Sequence, residues 1–390
     1  MNRSIKLAGL VASVSVAAVV AGALVAAQQT PTLASASGGD VNPIDSTTST
    51  TTSKPSTTPS KSTESAPSGA LKQTLDLTKL KQGAAPKTSY VDGRTVTVGT
   101  TKFLLPVSDG QVWGVARTGG GGALVLHRPN ENGSDVLTTW SGGARKGSVK
   151  DVSTVRSAAD QASSAYAIQP AKADGTPQPK FTLVWRDNPS GTTESLQRTG
   201  EHEPLILAVQ GSEVYFAASD KNEKQTLYKW VAGDVVVKPV SGVPSPAAVS
   251  SDLQLAAAVT SVADDGSCSA LIDLAEGKKR WTTCEYGVDE LRGGSSFAVG
   301  GPAYQDGYGL GLVAALDIKT GKLVREWSGR EAVTIVDFEQ EDADHILVTA
   351  EQGGKTAIAR CTPKTGACEL ATPLKKGTGN TDNRPYFLGT

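Results

Sequence analysis

The chain repeats itself. Residues 314–324 read AALDIKTGKLV and residues 357–367 read AIARCTPKTGA, each an apolar run entering a Gly-bearing turn. The same grammar recurs upstream in ALIDLAEGKKRW (270–281), LYKWVAGDVVV (227–237), LVWRDNPSGTTESL (183–196) and LVLHRPNENGSDVL (124–137). Taking the residue two to six places before each turn glycine as an anchor gives His127, Trp185, Trp230, Asp273, Asp317 and Cys361, separated by 58, 45, 43, 44 and 44 residues. A fixed period in this range marks a repeat architecture, in which one unit cannot bury its apolar faces alone and must stack on its neighbours.

Each unit also carries an apolar run 15 to 20 residues ahead of its anchor: QVWGVAR (111–117), AYAIQPA (165–171), EVYFAAS (213–219), QLAAAVTS (254–261), SFAVGG (296–301) and HILVTA (345–350). These runs are short, rich in β-branched or aromatic residues and bounded by Gly, Asp or Ser, as strands are. Further short runs such as PLILAVQ (204–210) and AVTIVDF (332–338) precede most of them. Four antiparallel strands per repeat predict an all-β fold, a β-propeller of six or seven four-stranded blades. A two-sheet sandwich needs no fixed period, and a parallel solenoid uses shorter repeats. The 58-residue interval reads as an insertion, with RKGSVKDVSTVRSAADQASS and KADGTPQP lengthening two connections. Strands within 88–107 and the final RPYFLGT can complete one blade between them, so seven blades, one of them composite, is the expectation over six.

The stretch AALDIKTGKLVREW resembles the blade signature of quinoprotein-like and Trp-Asp-repeat-like propellers, in which an Asp closing the third strand precedes a Thr-Gly turn and a Trp ends the fourth. Asp317 with Trp327 and Asp273 with Trp281 fit those positions, and Trp140 fits loosely. At fold level, residues 88–390 resemble extracytoplasmic bacterial propellers, especially the secreted ones of high-GC Gram-positive bacteria. In quinone-dependent dehydrogenases of this fold the cofactor sits beneath a disulfide between adjacent cysteines. This chain has no Cys-Cys pair, so no cofactor is expected, and the resemblance leans toward docking platforms and assembly factors.

Ahead of the repeats, Arg3 and Lys6 precede an uncharged run from Leu7 to Ala27, followed by Ala34-Ser35-Ala36, the small residues of a signal-peptidase site. Residues 1–36 read as an export signal cleaved after Ala36, the alternative being an uncleaved anchor through 7–27. Residues 37–70 are Ser/Thr/Pro-rich with almost nothing to bury and read as a disordered spacer. Residues 71–390 are the propeller domain, facing an oxidising exterior and either secreted or tethered to the outer face of the membrane. A net charge of −1 offers no electrostatic attraction for nucleic acid or an anionic lipid surface. The expected partner is a protein or polar cell-envelope ligand bound by a monomer, with membrane contact only through the N-terminal segment.

Cys268 and Cys284 lie symmetrically about the Glu276-Gly277 turn, and Cys361 and Cys368 about Lys364-Thr365. Each pair straddles its own hairpin, where facing positions bring Cα atoms to disulfide range, so the bridges Cys268–Cys284 and Cys361–Cys368 are expected. His127, His202 and His345 occur singly, without a nucleophile or metal motif. SVADDGSCSA (261–270) lacks the Trp of a sialidase Asp-box, GGGG (119–122) reads as a hairpin tip, and EQEDAD (339–344) as a solvated one. No metal site is expected. In a propeller the segments leading from the outer strand of one blade to the inner strand of the next ring the channel mouth. Here those are GEHEP (200–204), EYGVDELRGG (285–294), SGREA (328–332) and GNTDNRPY (379–386), which contribute Glu201, His202, Asp289, Arg292, Arg330, Asp382 and Arg384 as candidate binding residues. The expected function is a non-catalytic binding or scaffolding module at the cell envelope, the alternative a propeller hydrolase or lyase with its site at the channel mouth.

Overall fold

Many of the apolar runs become strands buried along most of their length, covered on both faces by neighbouring blades, and the Gly- and Asp-bearing turns between them set the hairpin registers. A computed structural model describes residues 70–129, 133–172, 174–264, 266–305, 309–329, 333–377 and 385–389. The expected signal segment and the spacer up to residue 69 lie outside the described residues, as do Arg330, Asp382 and Arg384.

In chain order, β1 (Lys72–Thr74) is followed by β2 (Tyr90–Asp92), β3 (Thr95–Val98) and β4 (Thr101–Leu104). Four complete blades come next. Blade 1 holds β5 (Gln111–Arg117), β6 (Ala123–Arg128), β7 (Val136–Ser141) and β8 (Ala144–Lys150), and blade 2 holds β9 (Val152–Ser157), β10 (Ser163–Ile168), β11 (Lys180–Asp187) and β12 (Thr193–Thr199). Blade 3 holds β13 (Glu201–Gln210), β14 (Glu213–Asp220), β15 (Gln225–Val231) and β16 (Lys238–Pro244), and blade 4 holds β17 (Pro246–Val249), β18 (Leu255–Ala263), β19 (Gly266–Asp273) and β20 (Lys278–Thr283). Blade 5 has only β21 (Phe297–Gly300), β22 (Leu312–Asp317) and β23 (Leu323–Ser328) in sequence. Blade 6 is β24 (Val333–Gln340), β25 (Ile346–Gln352), β26 (Lys355–Cys361) and β27 (Cys368–Leu370), with β28 (Lys375–Lys376) beside β26. The last strand, β29 (Tyr386–Leu388), pairs antiparallel with β2 through Tyr90↔Leu388, Val91↔Phe387 and Asp92↔Tyr386, and so becomes the inner strand of blade 7. The result is a seven-bladed β-propeller with a composite closing blade, as the two chain ends predicted.

Two details differ from the sequence reading. The 58-residue interval is not an insertion: residues 145–164 contain most of β8 and all of β9. The interval is long because the anchors occupy different strands, His127 on the second strand of blade 1 and Trp185 on the third of blade 2. KADGTPQP does lengthen the β10–β11 connection, which the Ala171↔Pro177 bridge pinches. The second detail is β1, which adds in parallel to β23 and supplies the outer strand that blade 5 lacks. Beyond it Leu75 and Leu77 are buried between blades 5 and 6, and Gln82 bridges Leu370 at the edge of blade 6.

Seven apolar clusters hold the ring, one at each blade interface, among them Leu183 with Phe216 between blades 2 and 3 and Phe103 with Trp140 between blades 7 and 1. Three of the tryptophans each tie a blade to the next. Trp185 Nε1 donates to Gly211 O (2.8 Å), Trp281 Nε1 to Ile318 O (3.0 Å) and Trp327 Nε1 to Gly366 O (3.2 Å). The turn after Asp317 explains why the repeat wants glycine there: Gly321 has φ +70°, and a Cβ on it would lie 2.7 Å from the Trp281 ring. Asp317 Oδ1 completes that turn by accepting from the Lys319 (3.0 Å) and Thr320 (2.7 Å) amides.

Both disulfides are present as expected, with Cα–Cα separations of 4.0 Å for Cys268–Cys284 and 4.1 Å for Cys361–Cys368. Cys361 faces Cys368 directly across β26 and β27, and the Cys268–Cys284 bridge extends the Ser269↔Thr283 register by one residue. Such staples belong to an oxidising, extracytoplasmic setting. Among the described residues no helix is long and apolar enough to cross a membrane. With loops of 16 and 7 residues, reduction should cost at most about 3 and about 2 kcal/mol respectively, since the hairpins already restrict the unfolded chain. Denaturant unfolding with and without reductant checks this, and intact mass without reductant should show four hydrogens fewer than the reduced chain.

Candidate active site

The inner strands β5, β9, β13, β17, β21, β24 and β29 surround the axis. At one end of it lies a cavity of about 80 Å³ lined by Arg117, Arg156, Glu290, Arg292 and Glu339. Its side chains come from blades 1 and 2, from the connection between blades 4 and 5, and from blade 6, with Thr88 and Gly389 adding the closing blade.

Local structure aims each of these groups. Arg117 ends β5 and donates from Nη1 to Lys87 O at 3.0 Å. Arg156 stands on β9 and donates from Nη2 to Glu290 Oε2 at 3.4 Å. Glu290 follows β20, and its backbone docks on the inner strand of blade 5, with Glu290 N donating to Val299 O (3.1 Å) and Val299 N to Glu290 O (3.0 Å). This close approach needs Gly300, where a Cβ would come within 1.7 Å of Gly287 O. Two residues on, Arg292 Nη1 donates to Gln340 O (3.1 Å) and Glu341 O (2.7 Å), which pins the connection to the exit of β24 beside Glu339.

Burial and like charge push the carboxyl groups up together. Desolvation, then the neighbouring Glu290, hold Glu339 well above the ordinary 4.5, against the pull of Arg156 and Arg292. Desolvation also raises Glu290, but Arg156 opposes it both as a charge and as a hydrogen-bond donor. Asp289 keeps access to channel water yet is ringed by protein, and desolvation pushes it up to about 6 although Gly301 N donates to it at 3.3 Å. Two carboxyls in one cavity, both raised by desolvation and only one of them hydrogen-bonded to a guanidinium, are material for an acid–base pair.

Of the residues singled out in the sequence, Arg292 lines this cavity and Asp289 lies next in chain to Glu290, outside the lining. Glu201 is buried in a pair with Arg198 (2.8 Å) and accepts from Tyr228 Oη (2.5 Å), and His202 pairs with Glu223 (3.2 Å), both away from the cavity. The reading of EQEDAD as a solvated tip is corrected: Glu339 lines the cavity, and Glu341 is buried against Arg360 at 2.5 Å. The sequence reading missed Arg117, Arg156, Glu290 and Glu339. Glu290 lies inside a segment that reads as channel-facing, and Arg156 inside one that reads as an insertion. His202 with Glu203 and Glu223, and Glu341 with Asp342 and His345, each bring ligand atoms within 4.8 Å of one another. In the second group Arg360 and Lys87 already neutralise Glu341 and Asp342.

No protein-family model matches the chain, and no curated protein matches it in sequence. Solved structures of similar shape include a prolyl endopeptidase (13% identity, TM-score 0.48, covering 76% of this chain and 44% of that one). Others are the acylaminoacyl peptidase of Pyrococcus horikoshii (10%, TM-score 0.48, 72% and 47%) and the propeller domain of the Trilobed protease from Pyrococcus furiosus (9%, TM-score 0.45, 67% and 84%). The chain thus spans under half the length of the first two peptidases. Identities this low speak to the fold, and the likeness to quinoprotein-like propellers likewise extends no further than the propeller itself.

The expectation of a non-catalytic binding or scaffolding module is corrected. Propellers of hydrolases are among those similar to this chain, at a likeness that speaks to the fold alone, so the correction rests on the cavity. A docking surface needs only an exposed patch, whereas here two glutamates and three arginines from four parts of the chain converge in one partly open cavity.

Proposed function

We propose that the protein is a hydrolase with its active site in the arginine–glutamate cavity on the propeller axis. The observation that carries this reading is the meeting of Glu339 with Glu290, which is hydrogen-bonded to Arg156, in one cavity that Arg117 and Arg292 also line. In the reaction Glu290 takes a proton from an attacking water as the water oxygen bonds to the substrate, and Glu339 gives its proton to the leaving group as the scissile bond breaks. Proton exchange through channel water then restores both groups. Arg117, Arg156 and Arg292 stabilise the negative charge that develops between them.

The apolar leader and the Ser/Thr/Pro stretch support export with residues 1–36 as the signal, 37–70 as a spacer and 71–390 as the catalytic propeller, secreted or held at the outer face of the membrane. Fluorogenic amide, ester, glycoside and phosphoester substrates offered to the purified chain test the proposal. Hydrolysis of at least one class, rising with pH as Glu290 ionises, falling as Glu339 does and abolished in Glu290→Gln, is the expected result. A chain inactive on every class, or a Glu290→Gln variant as active as the parent, would sink it.

A further inference from the structure

The charges of the cavity do not balance. Arg156 is matched by Glu290, but Arg117 and Arg292 hydrogen-bond only to main-chain carbonyls, of Lys87 and of Gln340 and Glu341, and neither forms an ion pair with a carboxylate among the described residues. Glu339, the one remaining acid in the lining, forms no ion pair there among the described residues, and desolvation disfavours its charge. Three guanidiniums thus face two carboxyls across a partly open cavity, so at least one positive charge there has no carboxylate partner. The lining supplies two carboxyls for the three, which leaves room for an added anion.

Size narrows what that anion can be. A volume of about 80 Å³ has room for about five to eight waters, enough for a carboxylate or phosphate head and too little for a larger body. Next to it lies a second cavity of about 330 Å³, formed by the tip of β3–β4 (Gly99, Thr100, Thr101) and the tip of β5–β6 (Gly120, Gly121). Arg117 and Gln161 line both spaces. Apart from Arg117 the second cavity carries no charge; it offers hydroxyls, an amide and glycine backbone.

We infer that the site takes an organic oxyanion, its carboxylate or phosphate held by Arg117 and Arg292 in the inner cavity and its uncharged polar body lying over the two hairpin tips. Arg117 is the hinge of this arrangement, since its planar fork faces the head group from the wall shared with the outer space. The inference rests on the hydrolase reading only in taking the bound anion to be the substrate's own group; the binding itself does not need turnover.

Calorimetric titration of the folded chain with inorganic phosphate, with N-acetylglycine and with the neutral N-acetylglycinamide tests it. At least one of the two anions should bind saturably and the amide should not. Preference between them tells phosphate from carboxylate. Arg117→Gln should weaken binding by about tenfold or more, the worth of a charged hydrogen bond. If Arg117→Gln melts early, Arg117→Lys keeps the charge but loses the fork, and a several-fold loss is expected. No saturable binding of either anion, equal binding of the amide, or undiminished binding in a folded Arg117 variant would overturn the inference. Binding without turnover would overturn the hydrolase reading alone, and turnover indifferent to these anions and to Arg117 would overturn this one alone.

Discussion

Glu339→Gln is expected to lower turnover by about 10²- to 10⁴-fold, the usual worth of a positioned proton donor, and at the same time to make the fold more stable at neutral pH. The two effects have one cause. Desolvation and Glu290 raise the Glu339 carboxyl above its ordinary 4.5, so the folded chain retains a proton that the unfolded chain has released. Stability from this group is therefore complete below pH 4.5 and drains away as pH climbs through the folded value. Glutamine cannot ionise, so the variant escapes the loss. Turnover follows the same titration, since the donor is spent once Glu339 ionises, and the alkaline fall of the rate profile should vanish with the side chain. Melting curves from pH 4 to pH 8, together with rates on whichever substrate the panel yields, check both halves. A Glu339→Gln variant that is fully active and no more stable than the parent at pH 7 would show that Glu339 is an ordinary hydrated carboxylate.

Arg360→Ala should cost about 3–5 kcal/mol, because it strands a buried carboxylate. Arg360 is the rivet between blade 6 and the N-terminal segment. It donates to both oxygens of Glu341 (2.5 and 2.8 Å), to Glu369 Oε1 (2.9 Å), and to the carbonyls of Ala84 (2.9 Å) and Ala85 (2.8 Å). Glu341 is only 2% exposed and also accepts from Lys87 N at 2.6 Å, next to the Thr88 that lines the cavity. Losing the guanidinium leaves one charge in the protein interior and frees the segment that carries β1 to blade 5. Replacing Glu341 by Gln in the same chain should recover part of the loss, since the stranded charge goes with it. Equilibrium denaturant unfolding measures the difference. A cost below about 1 kcal/mol, the range of exposed ion pairs, would mean that water reaches the pair.

Much of the fold is local and was legible. The Asp317 and Thr362 turns, the two cysteine hairpins and the composite last blade all follow from contacts between residues close in sequence or from what a ring must do with its ends. The missing fourth strand of blade 5 was not legible. Residues 72–74 are too few and too polar to signal a strand, and they become one only because β23 offers an unpaired edge. The site was harder still. Glu339 stands in an acidic run that looks made for water, and Arg156 in a polar stretch that looks like a loop. Neither carries a local mark of burial.

The amino-acid order by itself determined the blade, because alternation, turn glycines and the tryptophan that seats on the next turn act within about 44 residues. Only closure of the ring decided which residues meet at its centre. Arg117, Arg156, Glu290 and Glu339 belong to different repeats, and they share one cavity because seven equivalent inner strands converge on a single axis. The altered acidities of Arg117, Glu290 and Glu339 follow from that convergence: desolvation and mutual charge depend on which groups are neighbours in space, which a repeat read one unit at a time does not contain.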